Sequence, residues 1–177
     1  MPITINGSGT VTGISAGGLP DGVITTDDIA ANAVTPAKLA TTVVGPAFSV
    51  YQSSAQSITN GTNTKISLQT EDYDTANCFD TSLSRFTPNV AGYYQFNLQA
   101  YLSTGSQVEL ALFIYKNGSA LRYVGDVITP LGRMVNGSIA VYMNGTTDYV
   151  EMYLYSSVSG TTSVNTSMFS GALIRPA

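Results

Sequence analysis

The side chains able to do chemistry are few, and their types narrow that chemistry sharply. The densest ionisable group is Glu71-Asp72-Tyr73-Asp74. Its carboxylates are oxygen ligands of the kind Ca²⁺ takes, so Glu71, Asp72 and Asp74 form a candidate calcium group. The same run also reads as a solvated acidic loop with Asp74 held in a turn. The chain has no His, so no Ser-His-Asp or Cys-His unit can form and no imidazole can bind zinc. Its single Cys, Cys78, excludes an internal disulfide or a thiolate cluster and reads as a small buried hydrophobe. Glu109 and Glu151 fall in apolar stretches, where each either pairs with Arg122, Arg133 or Lys116 or faces solvent. No two carboxylates can be set at acid–base spacing, and Gly7-Ser8-Gly9 and Gly17-Gly18 lack the Lys-Ser/Thr of a phosphate loop. No catalytic residue, cofactor or enzymatic activity is expected. The tyrosines offer another kind of chemistry. Tyr93, Tyr101, Tyr153 and Tyr155 stand beside Asn, Gln and Ser, a composition suited to recognising sugar or protein, or to lining a subunit interface.

Composition bounds the rest. The 177 residues are 44% hydrophobic but only 10% charged, with 7 Lys+Arg against 11 Asp+Glu and a net charge of -4. An acidic chain with so few cations is not expected to bind nucleic acid. No apolar run is long enough to insert in a membrane. The start, Met1-Pro2-Ile3-Thr4-Ile5-Asn6-Gly7, has neither the basic nor the apolar region of a secretory signal. The wettable surface must come from Thr, Ser, Asn and Gly.

Two parts follow from the pattern: residues 1–45 and residues 46–177. The first has no aromatic residue and cannot build a core of its own. It contains an echo at an offset of ten, Ile24-Thr25-Thr26-Asp27-Asp28-Ile29-Ala30 and Val34-Thr35-Pro36-Ala37-Lys38-Leu39-Ala40. Each copy suits a Thr-capped helical turn, with Pro36 at a first helical position and Asp27-Asp28 near a helix start. Ile24, Ile29, Val34 and Leu39 then form a narrow apolar stripe that needs a partner: a copy of itself about a threefold axis, another protein, or its own globular domain.

The second part reads as about ten short strands with frequent turns, hence a sandwich or jelly roll. Tyr94, Phe96, Leu98, Ala100 and Leu102 alternate with Gln95, Asn97, Gln99 and Tyr101, giving a strand with one buried face. Val108–Tyr115 is almost continuously apolar and predicts a strand covered on most of both faces, closed by a turn at Asn117-Gly118. Further strands are expected at 47–52, 64–70, 77–80, 84–87, 138–143, 148–155 and 167–174. The Asn-Gly pairs at Asn60, Asn117, Asn136 and Asn144 are expected to be turns rather than glycan acceptors.

Asp74, Phe79, Phe86 and Gly92-x-Tyr94-x-Phe96 follow a spacing that resembles the complement C1q-like domain, which shares a trimeric jelly roll with the tumour-necrosis-factor family. Leu98 and Leu68 replace aromatics of that pattern and keep large apolar groups. Leu112-Phe113-Ile114-Tyr115-Lys116-Asn117-Gly118 and Phe169-Ser170-Gly171-Ala172-Leu173-Ile174 are similar to two further strands of the family. The resemblance spans Phe48 to Ile174. It implies an all-β jelly-roll sandwich and a homotrimer built by burying part of one sheet face around a threefold axis. Leu19-Pro20-Asp21-Gly22 through Ile29, followed by Ala33–Leu39, resembles segments of tailed-phage fibre and virion proteins.

Together these imply a structural bacteriophage virion protein. Its N-terminus would dock on another virion protein of the tail, baseplate or capsid, and its C-terminal knob would contact a host-surface glycan or protein. A capsid decoration or head-fibre protein, and a carbohydrate-binding module, are the alternative readings. A depolymerase would need a carboxylate pair that does not stand out.

Overall fold

The computed structural model describes residues 45–59, 61–103, 108–129, 133–157, 160–162 and 166–177, together with Ile29. The chain divides into two units, Met1–Leu39 and Ala40–Ala177. In the first, Ile29 is an exposed residue in a bend. Ile24, Val34, Leu39 and the expected helical turns lie outside the described residues.

The second unit is all-β. Its strands are β1 Ala47–Tyr51, β2 Gln56–Ile58, β3 Thr64–Lys65, β4 Thr70–Asp74, β5 Phe79–Asp80, β6 Arg85–Phe86 and β7 Gly92–Ser103. They continue with β8 Val108–Lys116, β9 Ser119–Thr129, β10 Arg133–Met143, β11 Val150–Ser156, β12 Gly160–Thr162 and β13 Met168–Pro176. One sheet runs β2-β12-β7-β13-β1-β4, with β10 on the other side of β7; the second runs β5-β6-β11-β8-β9, with β3 also on β11. The first strand thus pairs with the last, and β7 to β11 cross between the sheets except at the β8–β9 hairpin. This is a jelly-roll sandwich.

Alternation explains the layers. On β7, Tyr94, Phe96, Leu98, Ala100 and Leu102 point into the sandwich, while Tyr93, Gln95, Asn97 and Gln99 point away. The opposite wall is built by Leu110, Leu112 and Ile114 of β8 with Val150, Met152 and Leu154 of β11. The hairpin between β8 and β9 turns at Asn117 (φ 53°) and Gly118 (φ 78°), both left-handed, as a two-residue primed turn requires.

Several sequence expectations change. Residues 64–70 are not one strand: β3 ends at Lys65, and Ile66 and Leu68 enter the core from an irregular run before β4. Glu71-Asp72-Tyr73-Asp74 belongs to strand β4 rather than to a loop. Asn136-Gly137 is no turn but the middle of β10, facing Gln99 and Leu98 of β7. A Cβ on Gly137 would strike the backbone carbonyl of Val124, and one on Gly125 that of Asn136. The pair lets β9 and β10, one from each sheet, approach where the chain crosses the sandwich. Strands β2, β9 and β12 carried too weak a pattern to be expected.

Gly92 opens β7 against the end of β13, where an added Cβ would strike the Arg175 carbonyl oxygen and lie 2.7 Å from Leu173 Cδ1. Gly92→Val should therefore cost about 1–3 kcal/mol and lower the melting temperature by about 2–12 °C. Unchanged melting would show that the Leu173–Pro176 run shifts aside freely.

Candidate functional site

The tyrosines singled out by sequence do not form one patch. Tyr93 and Tyr101 lie on the outer face of the β7 sheet, eight residues and about 27 Å apart along one strand. Tyr153 and Tyr155 lie on the outer face of the β11 sheet, on the opposite side of the sandwich.

Three central rungs of the outer face of the β7 sheet are uncharged, with Asp72 bonded to Ser49 on the β4 side and Arg175 opposite Tyr93 at the end of β13. Ser49, Ser170, Asn97 and Ser138 lie in one; Tyr51, Met168, Gln99 and Asn136 in the next; Ala47, Ala172, Gln95 and Ala140 in a third. Asn97, Gln99, Asn136, Ser138 and Ser170 line an open depression of about 380 Å³. Apolar groups surround this polar centre: Tyr93 packs edge-on against Tyr142 with centroids 5.5 Å apart, and Tyr73, Met134, Met168 and Ile174 are also exposed. Strands β1, β7, β10 and β13 each bury apolar side chains inside the sandwich, so the exposed set is not core that failed to close.

The outer face of the second sheet is aromatic. Tyr115 and Tyr153 stack at 3.7 Å and 18°, and Phe113 meets Tyr123 edge-on at 5.3 Å. The Tyr115 hydroxyl accepts a hydrogen bond from Asn63 Nδ2 at 2.9 Å. Glu151, buried beside these rings, receives Lys65 Nζ at 2.7 Å and lies 3.5 Å from Arg85 Nε. The Arg85 guanidinium also sits 4.1 Å from the Tyr149 ring centre. The partners expected for Glu151 were Arg122, Arg133 or Lys116; sequence gave no signal that β3 and β6 would flank β11. Glu109 is exposed on the same face. The Tyr123 hydroxyl is pushed up to about 12, by desolvation and then by its hydrogen bond to Asp126. Burial, then Glu151 and Tyr115, raises that of Tyr153.

Lys116 instead closes a clasp between two turns. Its Nζ lies 2.7 Å from Asp148 Oδ2 and donates to the Tyr142 carbonyl at 2.8 Å. Asn117 Nδ2 and the Asn144 N–H also donate to Asp148. Burial works against the Asp148 carboxylate, but Asn117, Lys116 and the Asn144 N–H outweigh it and hold the group below its ordinary value of 3.8.

The acidic run serves the backbone. Asp72 accepts the Ser49 hydroxyl at 2.8 Å, while Asp74 accepts the N–H groups of Ala76 at 3.2 Å and Phe79 at 2.7 Å. Glu71 is exposed. Among the described residues no group of three or more His, Cys, Asp or Glu is placed to hold a metal ion. Asp74 instead closes the loop that delivers Phe79 to the core. Phe86, Tyr94, Phe96 and Phe169 are fully buried there, and Gly171 leaves room for the Phe96 and Phe48 rings. The Tyr94 hydroxyl donates to the Val90 carbonyl at 2.7 Å, and burial followed by Cys78 pushes it up to about 12. Burial also raises the Cys78 thiol, which makes it a poor nucleophile.

A sandwich with this strand order and this aromatic signature defines a class of domain, and comparison with known proteins gives the family. The C1q domain model matches residues 47–174, and the chain belongs to the C1q domain family. The globular domain of zebrafish complement 1qA superposes with a TM-score of 0.59 at 17% identity, covering 75% of this chain and 99% of that one. Eiger TNF from S. frugiperda gives 0.57 at 8% identity, with 75% and 95% covered. Murine APRIL gives 0.55 at 8% identity, with 73% and 98% covered. No curated protein sequence matches the chain.

Two measurements test the polar groups. Glu151→Ala removes the carboxylate from two cations whose side chains are each about 30% exposed, and should cost about 1–2 kcal/mol. The double change Lys65→Met, Arg85→Met strands a buried carboxylate and should cost about 3–5 kcal/mol in denaturant titration. Equal costs would mean the triad acts by packing alone. Asp148, depressed in the folded state, contributes stability that is fully present above its unfolded value and lost as pH falls through the folded value. The melting difference between the native chain and Asp148→Asn should therefore be constant near neutrality and shrink below about pH 4. A difference independent of pH would exclude this linkage.

Proposed function

We propose that the chain is a non-catalytic structural subunit of a tailed-bacteriophage virion, a homotrimer anchored by residues 1–45 and displaying residues 46–177 as a knob. The observation that carries this reading is the outer face of the β7 sheet. Its three central rungs are uncharged, with Asp72 and Arg175 toward the margins, and its Ser, Asn and Gln side chains both donate and accept hydrogen bonds. Exposed Tyr93, Met134, Tyr142, Met168 and Ile174 supply apolar area beside that centre. C1q- and TNF-type domains associate as homotrimers, which supports self-association through a sheet face of this kind. The virion context is supported by residues 19–39 and their resemblance to phage fibre segments. The resulting particle-bound knob would leave the second sheet outward for contact with the host surface.

Sedimentation analysis of the purified chain should give three times the 18.6 kDa protomer mass, and antibody labelling should find it on particles. Deleting residues 1–40 should leave a folded trimeric knob that no longer joins particles. A monomer absent from particles would overturn the proposal. Labelling on the head rather than the tail would make it a capsid decoration or head-fibre protein.

A further inference from the structure

The geometry points to a second site, on the outer face of the sheet opposite the self-association face: a platform for the pyranose rings of an uncharged oligosaccharide. It spans β9, β8 and β11 through Tyr123, Phe113, Tyr115, Tyr153 and Tyr155. The inference deepens the reading of the knob as a host-contacting surface, and rests on that reading only for the source of the sugar.

Three observations select a sugar. The first is the segregation of side chains between the two outer faces. Met134, Met168 and Ile174 are exposed on the β7 sheet and Leu83 in the turn between β5 and β6, whereas the large apolar side chains on the outer face of β8 and β11 are the rings of Phe113, Tyr115, Tyr153 and Tyr155. Clustered rings of this kind suit the C–H faces of a sugar. The second is preorganisation. Tyr115 and Tyr153 are already stacked, Phe113 and Tyr123 already meet edge-on, and Asn63 fixes the Tyr115 hydroxyl. Three neighbouring strands place these rings across about 10 Å, so more than one sugar ring can be engaged with little ordering cost. Tyr123, 49% exposed, offers the most open ring.

The third is charge. The cations of this face, Lys65 and Arg85, are drawn onto Glu151, and Arg85 also covers Tyr149. Glu109 and Asp126 stay exposed at the rim. An acidic polysaccharide or a phosphate would find its cations engaged and meet two carboxylates. A neutral sugar would find those carboxylates, the tyrosine hydroxyls and Asn63 as partners for its own hydroxyls.

Saturation-transfer NMR on the full chain, with maltohexaose, chitohexaose and a panel of purified neutral bacterial surface polysaccharides as probes, tests the site. Transfer from the protein to at least one probe is expected. Tyr123→Ala and Tyr155→Ala should each weaken it roughly tenfold, the worth of one aromatic contact. Tyr123→Ala removes an exposed ring, so an unaltered melting temperature and sedimentation mass would show that the fold is intact. No transfer to any probe, or binding that survives both substitutions, would overturn the site. Because the assay uses purified protein, sugar binding by a chain absent from particles would sink the virion reading and leave the site standing. A particle-bound trimer that binds no probe would do the reverse.

Discussion

The fold depends on one ring. Phe48, on β1, touches Phe86 at 4.3 Å, Phe169 at 5.0 Å, Phe79 at 5.3 Å and Phe96 at 6.3 Å between centroids. Phe169 and Phe96 belong to its own sheet; Phe79 and Phe86 belong to the other. Each such pair is worth about 0.5–1.5 kcal/mol beyond the area it buries. The four together reach a large fraction of the 5–15 kcal/mol by which a domain is stable. The contact is also the one that joins the ends of the knob. Phe48 and Phe169 meet only when the first strand pairs with the last, so the sandwich cannot close locally and must bear the entropy of long-range closure. The small and polar residues of the signature serve that ring cluster. Gly171 is small because Phe96 and Phe48 pass where its side chain would be, and Asp74 grips the backbone that carries Phe79.

This explains what could be read in advance. Residues that meet the aromatic cluster are large, apolar or glycine at fixed spacings, and strand β7 advertises its two faces by strict alternation over most of its length. The family and the jelly roll were legible from those positions alone. The same logic marks the limits. Asn136-Gly137 has the chemistry of a turn, and only the approach of β9 to β10 reveals that its glycine is there for lack of a side chain. Strand β9 holds Arg122, Gly125 and Asp126, which break any simple alternation, and its register slips twice against β8. Strands β3 and β6 have two residues each, too few for a period.

The tyrosines proposed as a recognition surface were legible as residues and not in place. Tyrosine beside Asn and Ser is a local signal; which sheet a tyrosine faces is a consequence of topology. Tyr93 and Tyr153 look alike in sequence and stand on opposite sides of the sandwich. Tyr123 escaped notice because β9 was not expected as a strand, and Phe113 and Tyr115 because the β8 run read as covered on most of both faces. The structure instead covers its outer side with other rings, which is a half-buried surface and not a core.

The scarcity of charge then acquires a positive sense. Of the 7 Lys and Arg residues, Lys65 and Arg85 hold β3 and β6 to Glu151, and Lys116 binds two turns through Asp148. Nearly half of the cations are thus spent inside the fold, at positions where a carboxylate is itself buried. An ordinary domain can keep its faces apart from other molecules with surplus charge. This one has little surplus, and both broad faces of its sandwich are left to hydroxyl, amide and aromatic groups. Both faces carry rings; the β7 face adds Met134, Met168 and Ile174 to them, and the other gathers Phe113, Tyr115, Tyr123 and Tyr153 beside Glu109 and Asp126. With assembly through the β7 sheet, as proposed, the aromatic platform on the opposite sheet would stay open.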